Sequence, residues 1–378
     1  MFYAIIKKTS FIGLGLFLAL GLLENSTAQA DWKAEWEKTV EAAKKEGHLT
    51  TYISGYERVL EPFKKKYPEI KVLSITGSST GIAQRILTER RAGKYLADIF
   101  SGGANTQYGL FYKGKVLDPI KSLFILPEVV DKSKWLEKRH AYADPEGKYI
   151  FAYRVSPGLT LMYNLNLLNP KEFNSYWDLL NPKWKGKIVS LEPKNTRAGS
   201  WMIFLYHQPE LGPKFIRQLY VDMDVTFSSS TRQMTDWLGK GKFAICIRCS
   251  AREAQGQGLP VRKLDGSVWK EGGQTSPGLG ALSFINRAPH PNAAKVFVNW
   301  FLSREGQMAF QRTGGRPGEN PNSRRIDIPK DIVPPWDRLV EGRIYMDTNR
   351  PEYQENLTKV ILKLGKQVME DARKRKSK

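Results

Sequence analysis

Short apolar runs alternate with amphipathic helical stretches along most of this sequence, and this alternation most restricts the folds that the chain can adopt. In the first third of the chain, the predicted strands are Leu49–Ile53, Ile70–Ile75 and Asp98–Phe100. Apolar residues at helical spacing follow the first two strands, and a polar loop follows each of the three. This pattern predicts an open α/β layer, in which ligands bind just beyond the carboxyl ends of the strands.

The same alternation recurs in the second half of the chain. The predicted strands there are Lys187–Leu191, Val225–Phe227 and Phe243–Ile247, and helical stretches separate them. A chain of 378 residues with 41% hydrophobic residues is long enough to build two hydrophobic cores. The sequence therefore predicts two α/β lobes.

A predicted buried strand, Ala281–Ile285, is followed by an amphipathic helix late in the chain, which indicates a return to the first lobe. We therefore expect the first lobe to contain residues 31–153 and, after the return, residues 281–378. The second lobe would comprise residues 154–280. The final amphipathic helix, Glu355–Glu370, is expected to dock on the first lobe.

The N-terminus has the pattern of a secretory signal. Lys7 and Lys8 precede the apolar run Phe11–Leu23, which is too short for a membrane span, and an Ala-x-Ala cleavage site ends at Ala30. We expect cleavage after Ala30, no lipid anchor, and a mature chain that is exported to the periplasm.

The formal net charge of +21 has three candidate explanations. These are nucleic-acid binding, a solvated basic surface beside an anionic membrane, and capture of an anionic ligand. Nucleic-acid binders concentrate Lys and Arg with stacking aromatic residues. Here the basic residues are spread along the chain, apart from the tail 373–376, so we expect no nucleic-acid partner.

The only cysteines are Cys246 and Cys249. A fully extended strand would hold residues three apart at roughly 10 Å, which is too far for a disulfide. A bridge would need the strand to end near Ile247 and turn. The residues leave open a local disulfide or two unpaired, apolar cysteines, and they lack the further ligands of a zinc site.

Polar loops at strand-to-helix junctions carry the clearest binding signal. Backbone N–H groups at helix starts suit carboxylate, phosphate, phosphonate or sulfate groups. Each such residue alone is more often a helix cap, but all of them occur at predicted strand ends of two lobes. The candidates are Ser54, Ser78, Ser79, Thr80, Gly103, Asn105, Asn195, Thr196, Ser229, Ser230 and Thr231.

Three arginines complete the candidate site. Arg154 lies in the segment between the lobes, Arg197 at a helix start and Arg248 at a strand end. A guanidinium group pairs with carboxylate or phosphate through two parallel hydrogen bonds, although a structural ion pair is the alternative at each position. Tyr56, Tyr153 or Tyr163 is expected beside an apolar part of the ligand.

Catalytic patterns are missing from the sequence. It contains no H-E-x-x-H metal motif, no G-x-S-x-G nucleophile turn and no phosphate-binding P-loop. We therefore expect a binding protein without enzymatic activity, cofactor or metal ligands.

Three segments resemble the type 2 periplasmic solute-binding proteins of ABC importers, particularly the binders of iron(III), thiamine and phosphonate. They are Pro291–Gln307, Trp177–Gly186 and Ala97–Gly103. The resemblance implies an α/β, two-lobe type 2 periplasmic-binding-protein fold, in which each lobe is a mixed sheet flanked by helices. It also implies two or three hinge strands between the lobes. The expected partners are a small-molecule ligand and a membrane permease, and the protein is expected to be a monomer.

The sequence departs from the iron(III) binders at one informative place. Those proteins have adjacent tyrosines after the strand that corresponds to Phe243–Ile247, whereas this chain has Arg248, Cys249 and Ser250. Ferric iron prefers phenolate and carboxylate oxygen, so an anionic organic ligand fits better, such as a carboxylate, a phosphonate or a sugar phosphate. The alternatives are iron(III) or chelated iron and, from another class, a secreted enzyme or a sensor partner.

Overall fold

The computed structural model describes residues 31–158, 161–195, 198–249, 254, 256–314 and 320–377, except the side chains of residues 354, 357 and 358. The predicted signal peptide lies outside the described residues. Among those residues, no helix is both long enough and apolar enough to cross a bilayer.

Three β-sheets and the helices around them make up the described chain. In chain order, the strands are β1 (His48–Ile53), β2 (Lys71–Thr76), β3 (Ile99–Gly102), β4 (Leu117–Asp118), β5 (Ile150–Ala152), β6 (Ser156–Pro157), β7 (Leu161–Asn164), β8 (Ile188–Leu191), β9 (Thr226–Ser228), β10 (Ile245–Ile247), β11 (Val261–Leu264), β12 (Gly273–Ser276), β13 (Ala281–Ile285) and β14 (Tyr345–Asp347).

The helices cover the sheets. They are α1 (residues 31–46), α2 (Leu60–Lys66), α3 (Ser79–Arg91), α4 (Ala104–Thr106), α5 (Pro127–Val130), α6 (Gly199–His207), α7 (Gly212–Arg217), α8 (Thr231–Gly239), α9 (Pro291–Leu302), α10 (Arg304–Thr313), α11 (Pro351–Asn356) and α12 (Leu362–Lys376). Wider, π-helical turns extend α4 and α7 and join α11 to α12; they are Gln107–Tyr112, Gln218–Asp222 and Leu357–Ile361.

The first lobe contains a six-stranded mixed sheet. Its order is β2-β1-β3-β13-β4, with β5 also paired to β13. Strands β1, β2 and β3 are parallel to one another, and β13 runs antiparallel to β3. The predicted return of the chain to this lobe is confirmed by β13. Strands β1 and β13 are buried along nearly their whole length, including the polar residues Thr50, Thr51 and Ser283, as expected of strands that are covered on both faces.

The second lobe contains a five-stranded sheet in the order β11-β7-β10-β8-β9. Strands β8, β9 and β10 are parallel, while β7 is antiparallel to β10. The three parallel strands correspond to the three predicted ones, shifted by one or two residues at their ends. Each lobe thus has a mixed sheet with its own buried apolar residues, as the sequence predicts.

A small third sheet joins the two lobes. Strand β12 pairs antiparallel with β6 and parallel with β14, so the chain crosses between the lobes three times. The third crossing, β14, has three residues and no periodic pattern that would have predicted it. These three strands form the hinge of the two-lobe fold.

The C-terminal helix docks on the second lobe, so the expectation that it would dock on the first lobe is wrong. Ile361 and Val368 are buried in the core of the second lobe. Asp371 pairs with Arg217 of α7 at 2.8 Å. The cause is β14, which carries the chain back across the hinge before the helix begins.

Gly365 lies where the C-terminal helix approaches the backbone of residues 193–194 closely. A Cβ atom at Gly365 would lie 2.5 Å from the carbonyl oxygen of Pro193 and 2.8 Å from the backbone nitrogen of Lys194. The helix therefore fits against the loop after β8 only because this position lacks a side chain.

We expect the substitution Gly365→Ala to lower the free energy of unfolding by about 2 kcal/mol, because the new methyl group must push the helix away from the backbone of the 193–194 loop. Gly109→Ala is the matched control, since nothing lies within 4 Å of a Cβ at Gly109. Urea denaturation should show the first change and a neutral or slightly stabilising second change. Equal effects would contradict this packing.

Candidate functional site

The carboxyl ends of the parallel strands lie together at one edge of each sheet. In the first lobe, Ile53 is opposite both Thr76 and Ser101 in the strand register. In the second lobe, Leu191 is opposite Ser228, and Ile247 is opposite Ser190. The loops that follow these strands are therefore neighbours within each lobe, as the sequence predicts.

The connections between the lobes begin and end at these same edges. The last residue of β5, Ala152, is opposite Ala281, the first residue of β13, and Ala281 is also opposite Gly102 at the end of β3. In the second lobe, β7 begins at Leu161, opposite Ile247 at the end of β10. The chain thus leaves one strand-end edge and enters the other, which places the two sets of loops on either side of the hinge.

The serines at the start of α3 have ordinary capping partners. Ser78 accepts a hydrogen bond from the backbone of Gly81 at 3.2 Å and caps the helix. Ser79 Oγ accepts from the backbone nitrogen of Gly103 at 2.9 Å and so joins the loops after β2 and β3. Thr80 is exposed in the first turn.

The other candidates of the first lobe lie deeper. Ser54 is buried, and its backbone nitrogen donates to the carbonyl of Ser101 at 2.9 Å. Ser101 Oγ is 2.8 Å from the hydroxyl of Tyr153. Among the described residues, none donates a hydrogen bond to the buried Oδ1 of Asn105, so this acceptor is available beside Gly103.

The loop between β9 and α8 repeats the arrangement of α3. Ser230 caps α8 by accepting from the backbone of Gln233 at 3.3 Å. Ser228 Oγ accepts from the backbone nitrogen of Ser230 at 3.1 Å. Ser229 is exposed before the cap, and Thr231 is the first helical residue.

The loop after β8 is described only in part. Asn195 is half-buried, and its backbone carbonyl accepts from Ala198 at 2.8 Å at the start of α6. Thr196 and Arg197 lie outside the described residues, so their place in the site stays a prediction.

Arg248 occupies an unusual backbone position at the end of β10. Its φ angle is +74°, in the left-handed region that side chains other than glycine rarely adopt. Cys246 and Cys249 form a disulfide across it, with their Cα atoms 5.8 Å apart. The strand ends at Ile247 and the chain then turns, which is the geometry that a disulfide between these two cysteines needs. The disulfide therefore holds Arg248 at the strand-end edge of the second lobe.

A buried hydroxyl lies near this arginine. Tyr220 is fully buried, and its hydroxyl accepts a hydrogen bond from Trp201 Nε1 at 3.0 Å. Burial raises the pKa of Tyr220 to about 12, while the hydrogen bonds from Ser190 and Trp201 and the positive charge of Arg248 act in the opposite direction. Arg248 thus belongs to a polar group at the end of β8 and β10. Sequence analysis missed Tyr220 because it lies among apolar helical residues.

Arg154 has an acidic partner at the hinge. Its Nη2 is 3.0 Å from Asp337, whose carboxylate also accepts a hydrogen bond from Ser156. Arg154 Nη1 lies 3.4 Å from the carbonyl of Pro277. The structure thus places Arg154 in an ion pair that connects the first crossing to Asp337. A structural ion pair was the alternative to ligand binding that the sequence left open for this arginine.

Of the three aromatic candidates, one lies at a strand-end loop with part of its surface exposed. Tyr56 is half-buried after β1, with its ring 5.1 Å from that of Phe310. Tyr153 is fully buried against Phe301 and Phe310, and Tyr163 is buried in the core of the second lobe. The expectation that Tyr153 and Tyr163 contact a ligand is therefore not supported by their burial.

A search for metal-binding clusters covered the described residues alone. Within them, no three His, Cys, Asp or Glu side chains come together in a way that could hold a metal ion. Cys249, at one of the two positions where iron(III) binders have tyrosines, is bonded to Cys246 and has no free thiolate.

Sequence comparison gives a family match over most of the chain. The family model described as bacterial extracellular solute-binding protein matches residues 46–308. An uncharacterised protein of Haemophilus influenzae is 24% identical in an alignment of length 288, which covers 72% of this chain and 78% of that protein.

Structure comparison finds several solved proteins with the same fold. The iron- and citrate-bound FutA of Trichodesmium has a TM-score of 0.64 and 20% identity, and iron-bound HitA of Pseudomonas aeruginosa has 0.61 and 16%. AfuA of Actinobacillus pleuropneumoniae, with fructose-6-phosphate bound, has 0.59 and 19%. Each match covers 85% of this chain and 99% of the other.

We expect Arg248→Gly to be more stable than Arg248→Ala by about 1 kcal/mol, because only glycine adopts a positive φ without a steric cost. Both variants remove the guanidinium group, so the difference between them isolates the backbone strain. Chemical denaturation of the two variants under oxidising conditions measures it. An alanine variant at least as stable as the glycine variant would show that position 248 is unstrained.

Proposed function

Since the chain belongs to the bacterial extracellular solute-binding protein family, we propose that it captures a small anionic solute between its lobes. Proteins of this family are the periplasmic binding components of ABC importers. The permease of an ABC importer would then receive the solute unchanged. Organic carboxylates, phosphonates and sugar phosphates are the proposed ligand classes. Members of this family are binding proteins rather than enzymes.

Arg248 is the observation that carries the proposal. An arginine with a left-handed backbone conformation costs free energy, and the disulfide between Cys246 and Cys249 keeps the turn around it in place. Strained residues of this kind concentrate at ligand sites. A guanidinium group at a strand-end edge pairs strongly with a carboxylate or a phosphate, and it does so through two hydrogen bonds.

The helix starts on both sides of the hinge support an anionic ligand. The first turns of α3 and α8 begin at the strand-end edges of the two lobes, at Ser78 and Ser230. Free backbone N–H groups and the positive ends of the helix dipoles favour negative charge there. Ser79 and Thr231 begin these two helices, while Gly103 and Asn105 follow β3 and Asn195 follows β8 at the same strand-end edges. These residues would donate or accept the remaining hydrogen bonds.

Bare iron(III) fits this site less well than an organic anion does. The cation would meet the positive charge of Arg248, and Cys249 is held in the disulfide. Because one solved relative contains both iron and citrate, chelated iron(III) is the alternative ligand. Ferric citrate presents carboxylates to an arginine, so it falls within the proposed ligand class.

Isothermal titration against inorganic phosphate, methylphosphonate, citrate, ferric citrate and fructose-6-phosphate tests the proposal. We expect at least one of these anions to bind, and Arg248→Gln to weaken that binding by about 2–4 kcal/mol, because a charge pair at the ligand is lost. Arg217→Gln is the matched control, since its exposed side chain pairs with Asp371 on the surface.

Two results would contradict the proposal. One is binding of iron(III) alone with no response to any anion in the panel. The other is equal affinity of the wild-type protein and the Arg248→Gln variant for an anion that binds.

The proposal also covers the state of the exported protein. We expect a monomer without bound nucleic acid whose chain begins at Asp31. One lobe would contain residues 31–153 and the chain from residue 281 up to β14, and the other residues 154–280 and, after β14, the C-terminal helix. Native mass spectrometry of protein purified from the periplasm measures the chain mass, the oligomeric state and any retained solute. A chain that keeps residues 1–30, or a stable dimer, would contradict this part.

A further inference from the structure

A cluster of buried polar groups lies beside the hinge sheet, away from the strand-end loops. Three N–H groups in it have no hydrogen-bond acceptor among the described residues: Nη1 of Arg324, Nη2 of Arg139 and Nδ2 of Asn349. The side chain of Arg324 is only 2% exposed, and Asn349 is 8% exposed. Buried donors of this kind are rare, because each has lost its hydrogen bonds to water.

The three residues meet at one carboxylate, that of Asp347 at the end of β14. Arg324 Nη2 donates to Asp347 Oδ2 at 3.2 Å, and Arg139 Nη2 lies 3.6 Å from the same oxygen. The backbone nitrogen of Asn349 donates to the other oxygen, Oδ1, at 3.1 Å. The three residues that carry unpartnered donors therefore all contact the same carboxylate at the hinge.

The cluster has more positive than negative charge. Glu137 accepts from Arg139 Nε at 2.6 Å and lies 4.0 Å from Arg350. With Asp347, it gives two carboxylates against the three guanidinium groups of Arg139, Arg324 and Arg350. The cluster as a whole thus carries one net positive charge. Arg324 and Asp347 are buried, whereas Arg139, Glu137 and Arg350 are 34%, 43% and 46% exposed and form the solvent-facing side of the cluster.

We propose that this cluster binds one small monovalent anion of halide size. Such an anion accepts hydrogen bonds from several N–H donors at once and neutralises the remaining charge. A water molecule would supply an acceptor but no charge. A phosphate group would bring a second negative charge close to Asp347, which the cluster cannot compensate.

The anion would act on the hinge. Arg139 and Arg324 belong to segments that pack on the first lobe, where the backbone of Leu136 donates to Arg324 and that of Arg324 to Tyr153. Asp347 and Asn349 belong to the third crossing, which continues into α11 on the second lobe. A bound anion would therefore fasten this crossing to the first lobe. This inference does not depend on the identity of the transported solute.

Chloride is the probe for the test. The ³⁵Cl NMR signal should broaden in the presence of wild-type protein, and the broadening should be mostly lost in Arg139→Gln and Asn349→Ala. Arg139 is partly exposed, so its replacement leaves no large cavity in the core. Arg217→Gln loses the same charge at a surface ion pair and should broaden the signal as the wild type does.

Thermal unfolding supplies a second measurement. Gluconate is a carboxylate and falls within the ligand class proposed for Arg248, so the two salts are compared in the Arg248→Gln variant. At equal ionic strength, sodium chloride should raise the midpoint of this variant above that in sodium gluconate by about 2 °C. Adding either hinge substitution, Arg139→Gln or Asn349→Ala, to this variant should remove the difference, whereas adding Arg217→Gln should leave it. A difference in the Arg248→Gln variant separates this site from the proposed ligand site.

Equal broadening in the wild type and both hinge variants would overturn the proposal, as would a chloride effect that gluconate reproduces. Either result would mean that water, and not chloride, accepts the hydrogen bonds of these N–H groups. A loss of broadening in Arg248→Gln, with the hinge variants unchanged, would place the chloride in the ligand site instead.

Discussion

The pairing register of β13 is the constraint on which the rest of this structure depends. Because Ala281 is opposite both Gly102 and Ala152, the strand that returns to the first lobe begins at the edge where β1, β2 and β3 end. Shifting this register by one residue would turn its buried side chains to the opposite face of the sheet. The lobes are therefore connected through their strand-end edges, and any solute between them meets the loops that follow the strands.

Much of this architecture could be predicted from local pattern. Short runs rich in apolar and β-branched residues, with helical stretches between them, predicted the parallel strands of both sheets. The return to the first lobe could be predicted because Ala281–Ile285 and α9 form a complete strand and helix late in the chain. The loops of both lobes lie at the predicted edges for the same reason.

What could not be predicted depends on contacts between distant residues. The third crossing has three residues, so no periodicity marks it, and the docking of α12 on the second lobe follows from it. Arg154 could not be assigned because its partner, Asp337, is 183 residues away in the sequence. Arg324 and Arg325 are buried in ion pairs that the sequence does not reveal.

Arg248 connects fold and function. Its turn is held by the adjacent disulfide. Burial raises the pKa of the Tyr220 hydroxyl, and the positive charge of Arg248 acts against this effect of burial. A crystal structure with the tightest-binding anion tests this account most directly. The account predicts a carboxylate or phosphate group of the solute between the lobes, hydrogen-bonded to the guanidinium of Arg248. An anion bound outside the space between the lobes, or bound there without contact to Arg248, would contradict it.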